Sequence, residues 1–143
     1  MENASPKILL VDDNPTNIRV ATKILRTQNY NISFSQSGHE ALKKAGHIKF
    51  DLMLLDIMMP EMDGYEVCRI MKENPETRKV PIIFLTAKTE SENVVQAFEL
   101  GGADYVTKPF NGQELLSRVQ THIRLKRSRE ELEEANKKLR ESN

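Results

Sequence analysis

Five residues in this 143-residue chain have side chains suited to handling a charged group, and each stands at the end of an apolar run. Asp12 and Asp13 close "KILLV" (7–11), Asp56 closes "DLMLL" (51–55), Thr86 closes "VPIIFL" (80–85), and Lys108 follows "ADYVT" (103–107) just ahead of Pro109. Two adjacent carboxylates repel, and neither belongs in a core. Three carboxylates within a few ångströms would raise one another's pKa unless a cation neutralised them. Hard oxygen donors favour Mg²⁺, which keeps several waters and takes only a few protein oxygens. Lys108 would then add positive charge for an incoming anion. A polar residue at one strand end is often no more than a solvated loop start. Five of them converging on one edge argue for a site.

The elements that must position them alternate along the chain. "KILLV" (7–11), "DLMLLDIMMP" (51–60) and "VPIIFLTA" (80–87) read as buried strands, and "ADYVTKPF" (103–110) as a strand running into Pro109. "YNISFS" (30–35) alternates, with Tyr30, Ile32 and Phe34 on one side, as an edge strand would. Helical patterns fill the intervals: 16–28 with Ile18, Ala21 and Leu25 on one face, then 38–46, 64–74, 90–101 closed by Gly101, and 111–125. Five β–α units with apolar strands imply a doubly wound α/β fold, a parallel sheet covered by helices on both faces. In such a sheet, ligands bind at the carboxyl ends of the strands, near the point where strand order reverses. Those are the ends that carry the five residues.

Composition narrows the function classes. Lys+Arg and Asp+Glu are 21 each, so no global field draws the chain to nucleic acid or to an anionic membrane. The N-terminus has no long apolar region that would read as a signal peptide or span. The single cysteine, Cys68, excludes an internal disulfide and fits a reducing cytoplasm; it reads as a small helix hydrophobe. No G-x-G-x-x-G follows the first strand and no G-x-x-x-x-G-K-[ST] occurs, so nucleotide-phosphate loops are not expected. His39, His47 and His122 lack metal-ligand spacing and are expected on solvated helix positions. Met58 and Met59 are expected to pack or to line the loop.

"VDDNP", "DLMLLDIMMPEMDGYE", "PIIFLTA" and "GGADYVTKPF" together resemble the receiver domain of two-component response regulators, over about residues 6–124. The resemblance implies a flavodoxin-like sheet, order 2-1-3-4-5, in a receiver domain over residues 1–124. It implies that Asp56 accepts a phosphoryl group from a histidine kinase or a histidine phosphotransfer protein. Asp12, Asp13, Asp56 and the backbone carbonyl of Met58 would hold Mg²⁺. Thr86 would bond the phosphoryl group, Lys108 would complete the catalytic set, and Tyr105 would change rotamer with Thr86 as the switch. The Lys108–Pro109 peptide would be cis, the one peptide type in which cis is cheap. Two positions that vary in the family are Met58 and Lys88 here. Neither is suited to orient a hydrolytic water, so a persistent phosphoryl group is expected.

Other classes fit less well. A scaffold that had lost the switch would not need all of these acidic, hydroxyl and basic positions. A Mg²⁺-dependent phosphatase would want a second Asp two residues after Asp56, where Met58 stands. A transcription factor would need a helix-turn-helix, for which residues after 125 leave no room.

From residue 125 the composition changes: "KRSREELEEANKKLRESN" (126–143) has no Gly, Pro or aromatic residue and is dominated by charge. One helix can run from 111 to the end, with Leu115, Leu116, Val119 and Ile123 packing on the sheet and the rest projecting beyond it. Leu125, Leu132 and Leu139 recur every seven residues, a coiled-coil seam over residues 125–143 that would join two copies in a parallel dimer. The second seam position is open: Ser128 and Ala135 in one register, Arg129 and Asn136 in the other. Such segments also resemble connectors to kinase or cyclase outputs.

Overall fold

The computed structural model describes residues 5–87, 95–96 and 98–142. Five strands, β1 (Lys7–Val11), β2 (Asn31–Ser35), β3 (Leu52–Asp56), β4 (Ile82–Ala87) and β5 (Asp104–Lys108), form one sheet. Its order is β2-β1-β3-β4-β5, with every neighbouring pair parallel. Among the described residues, four longer helices connect or follow them: α1 (Pro15–Leu25), α2 (Gly38–His47), α3 (Gly64–Glu73) and α4 (Gly112–Glu141). Half of the helix expected over 90–101 lies outside the described residues; Val95, Gln96, Phe98 and Glu99 are helical. Gly101 has φ of 102°, a conformation that glycine adopts at no steric cost.

The sheet divides two apolar layers because successive side chains of a strand face opposite sides. Leu9, Val11, Met53, Leu55, Ile82 and Phe84 pack with Ala41, Val67, Cys68 and Met71 of α2 and α3. Ile8, Leu10, Leu52, Leu54, Ile83 and Leu85 pack with α1 and α4 on the other side. Those helices contribute Ile18, Ala21 and Leu25, then Leu115, Val119 and Ile123. Cys68 is buried and unpaired.

Helix starts are written locally. Ser37, Asp63 and Asn111 each accept the backbone N–H of a glutamate three residues on, Glu40, Glu66 and Glu114, which also places a negative charge in the first turn. Asn14 caps α1 by accepting Thr16 N–H, and Pro15 occupies the first helical position, where no donor is missed.

On the edge strand β2, Phe34 is 52 % exposed, with the Lys44 ammonium 5.6 Å from its ring centre. One expectation changes. The long last helix forms as one element of 30 residues, Gly112–Glu141, yet its contacts with the domain do not stop at Leu125. Lys126 lies 3.7 Å from Asp51, and Lys79 donates to Glu133 at 3.1 Å.

Candidate functional site

β1 and β3 lie side by side, so their carboxyl ends bring Asp12 and Asp56 together, with Asp13 beside them. Carboxylate oxygens of the three lie within 4.8 Å of one another. Asp12 and Asp56 are buried and Asp13 is exposed, so the cluster opens to solvent on one side. β5 pairs with β4 and brings Lys108 opposite Ala87. From there the Lys108 ammonium donates to Asp56 Oδ1 at 3.0 Å and stands 3.2 Å from Asp12 Oδ2. The Lys108–Pro109 peptide is cis.

The local chain orients Asp12. The Asn14 N–H donates to Asp12 Oδ1 at 2.9 Å, so the residue that caps α1 also fixes the carboxylate. The other oxygen, Oδ2, is buried and accepts no well-aligned hydrogen bond, although the Lys108 charge is near. A buried carboxylate oxygen left with spare lone pairs, within reach of two further carboxylates, is a donor set that fits a hard divalent cation.

Burial is the largest influence on Asp56, and the neighbouring Asp12 charge is next. Together they outweigh the hydrogen bond and charge of Lys108 and push the carboxyl up to about 7. Burial alone would lower the Lys108 ammonium, but its contacts with Asp56 and Asp12 prevail and hold it above the ordinary lysine value. A single cation thus offsets only part of the repulsion among the three carboxylates.

Thr86, at the end of β4, is 2 % exposed and its hydroxyl donates to the Ala87 carbonyl at 3.2 Å. That bond is local and long for a hydroxyl donor. Tyr105 lies on β5 opposite Phe84. Its ring meets Phe98 edge-on at 6.3 Å and has the Arg118 guanidinium 5.9 Å from its centre. Met58 is 62 % exposed and lines the cleft of about 270 Å³ with Asp12, Asp13, Asn14, Asn17, Asp56, Ala87 and Lys108. Lys88 lies outside the described residues.

Sequence reasoning missed three supports of this site. Asn14 and Asn17 line it from the start of α1. Gly64 lets the loop after β3 fold back closely: a Cβ there would stand 2.4 Å from the Asp56 carbonyl oxygen. The Gly64 N–H in turn donates to the Ile57 carbonyl at 2.9 Å. Asn17 has no sequence signal beyond lying one turn after the acidic pair. Gly64 follows Asp63 in a D-G pair, a turn signal that says nothing of the close approach.

His122 corrects the expectation of a solvated position. Its Nε2 lies 3.0 Å from Asp104 Oδ2, while Arg118 Nη1 contacts both Asp104 oxygens at 2.8 Å. Burial would raise Asp104, but the bonds from His122 and Arg118 and the Tyr105 N–H bring it below the usual carboxylate range. His39 and His47 are exposed, as expected.

The chain matches the family described as the response regulator receiver domain over residues 8–120. It is 48% identical over 123 residues to a probable cyclic di-GMP phosphodiesterase of Vibrio cholerae, covering 86% of this chain and 28% of that protein. It is 46% identical over 118 residues to the transcriptional regulatory protein ResD of Bacillus subtilis, covering 82% and 48%. Among solved structures it resembles the receiver domain of a sensor histidine kinase from Pseudomonas aeruginosa, with a TM-score of 0.77 and 35% identity over 84% of this chain and 98% of that one. That structure has a magnesium ion coordinated in its active-site cleft. The fold, the carboxylate cluster and these matches place the chain in the response regulator receiver family, whose members are signalling switches. The chain spans less than half the length of the two curated relatives. Among the described residues no helix is long and apolar enough to cross a membrane.

Proposed function

We propose that this chain is a phosphorylation-operated switch that takes a phosphoryl group onto Asp56 from a histidine kinase or a histidine phosphotransfer protein. The observation that carries the reading is Lys108 bridging Asp56 and Asp12 at 3.0 and 3.2 Å beside a third carboxylate. Asp12, Asp13, Asp56 and the Met58 backbone carbonyl would hold Mg²⁺; the last of these rests on the family resemblance. When bound, the ion supplies the positive charge that lets an anionic carboxylate approach an anionic phosphoryl group.

The chain's own residues do the rest. An Asp56 carboxylate oxygen attacks phosphorus, an O–P bond forms, and the donor's P–N bond breaks with the electron pair leaving on the imidazole. Lys108 is placed to follow the new negative charge, moving from Asp56 Oδ1 to a phosphoryl oxygen. Thr86 can exchange its bond to the Ala87 carbonyl for one to the phosphoryl group. Space vacated by Thr86 would admit Tyr105, which changes the surface formed by β4, β5 and the segments beside them. This is a local charge event biasing a two-state element. Neither Met58 nor Lys88 is suited to activate water, so the phosphoryl group persists.

Such a switch acts on an output. A partner, or a kinase- or cyclase-type domain reached through residues 125–143, would respond to the changed surface, and two copies would pair through that helix. The likeness to a protein named as a cyclic di-GMP phosphodiesterase supports such an arrangement. A cytoplasmic setting fits a buried Cys68 with no disulfide. The test is incubation with acetyl phosphate and Mg²⁺ followed by mass measurement: one phosphoryl group is expected, and no modification would refute the reading.

A further inference from the structure

The heptad leucines leave two seams open on α4, and the contacts of this helix with its own domain separate them. We propose that a second copy of this chain packs on the face made by Leu125, Ser128, Leu132, Ala135 and Leu139, and not on the face that includes Arg129 and Asn136. The inference rests on the dimer reading above and fixes which surface makes it.

α4 remains tied to its domain for more than two turns past the core. Lys126 pairs with Asp51, and Glu133 with Lys79. To either side of this line, Arg127 acts electrostatically on Tyr30, and Arg129 on Lys72. The domain therefore lies along the stripe that continues Leu115, Val119 and Ile123 and is flanked by Arg127 and Arg129. At 3.6 residues per turn, the seam with Ser128 and Ala135 is centred about 150° from that stripe, and the seam with Arg129 and Asn136 about 110°.

This difference decides the partner face. A parallel two-fold pair needs each copy's domain on the outside, away from the helix–helix contact. The Ser128–Ala135 seam lies farther from that stripe, touching the domain only at its edge, where Ser128 lines an open cleft with Pro6, Tyr30 and Arg127, and it buries small side chains beside the leucines. Leu125, Leu132 and Leu139 are 47%, 61% and 63% exposed, large apolar groups on a segment dominated by charge. A second copy is the occupant whose apolar spacing matches by construction, seven residues against seven. The alternative seam would bring Arg129 against its symmetry mate and away from water, an uncompensated like-charge contact. It would also place Lys126 and Glu133 at its flanks, where their bonds to Asp51 and Lys79 already hold them.

The test uses the full chain with one cysteine added, Ala135→Cys or Asn136→Cys; native Cys68 is buried and does not compete. Each variant is treated with a mild copper–phenanthroline oxidant at high protein concentration, with and without beryllofluoride, and covalent dimers are followed on non-reducing gels. Ala135→Cys is expected to cross-link several-fold faster than Asn136→Cys. Adding Leu132→Asp to the Ala135→Cys variant should abolish the cross-link while leaving the thermal melt of the domain unchanged. Faster cross-linking through Asn136→Cys would overturn the assigned face and leave dimerisation standing. No covalent dimer from either variant would overturn the dimer reading with it, and neither result bears on phosphoryl acceptance at Asp56.

Discussion

The Lys108 ammonium lies 3.0 Å from Asp56 Oδ1, joining the end of β5 to the end of β3 across the intervening strand β4. One side chain thus spans the carboxyl edge of the sheet and carries the sole cation in a cleft with three carboxylates, among the described residues that line it. The site is held together by attraction to Lys108 and strained by repulsion among Asp12, Asp13 and Asp56.

Removing that cation should therefore be costly. Lys108→Met leaves Asp12 and Asp56 buried without a counter-charge, and stability without metal should fall by about 1–3 kcal/mol. Urea denaturation with and without Mg²⁺ checks this, with part of the loss recovered by the ion. An unchanged midpoint in both conditions would show that Lys108 does not hold the site together.

Asp13 is the exposed member of the cluster, so its removal should spare the fold. Asp13→Ala should abolish Mg²⁺ binding and phosphorylation together, while the metal-free protein becomes slightly more stable through loss of one repelling charge, by about 0.5 kcal/mol. Titration with Mg²⁺, followed by amide chemical shifts near residues 12 and 56, reads the binding. Wild-type affinity in the variant would remove Asp13 from the ligand set.

Thr86 tests the switch separately from the chemistry. Thr86→Ala should still accept a phosphoryl group at Asp56 but should lose most of the response at Tyr105. Amide shifts of residues 86 and 104–108 with beryllofluoride, an acyl-phosphate mimic, make the comparison. A full response without the hydroxyl would show that Thr86 is not the link.

Acid stability should report Asp104. Its carboxyl is held below the ordinary value of 3.8, so the folded state binds its proton less readily than the unfolded chain. The contribution is present above about 3.8 and is lost as pH falls through the lower folded value. Arg118→Ala should cost about 1 kcal/mol at neutral pH and flatten the loss of stability below pH 4. Parallel pH profiles for wild type and variant would exclude the contact as a source of acid sensitivity.

The sheet was legible because its interior strands are continuous apolar runs, which only a surface buried on both faces tolerates. The cluster was legible for a related reason: Asp12, Asp13 and Asp56 interrupt those runs at the edge where a doubly wound sheet opens. Chain-local chemistry stops there. His122 meets Asp104 only because α4 crosses β5, and nothing in an 18-residue separation announces it. Gly64 looks like any turn glycine until the backbone of Asp56 is placed 2.4 Å from its missing Cβ. The alternation of β2 marks its two sides but not how far a helix covers each: Ile32 is half-buried and Phe34 exposed on the same side. The tie between Lys79 and Glu133 is two charged residues among many, visible only once the helix has a direction.

Whether Asp56 is the phosphoryl acceptor is read by peptide mapping after treatment with acetyl phosphate and Mg²⁺. A single acyl phosphate, surviving mild acid but cleaved by base and by hydroxylamine, is expected on the peptide containing Asp56, and none in Asp56→Asn. Equal labelling of Asp56→Asn, or a label that maps to Asp12 or Asp13, would contradict that assignment.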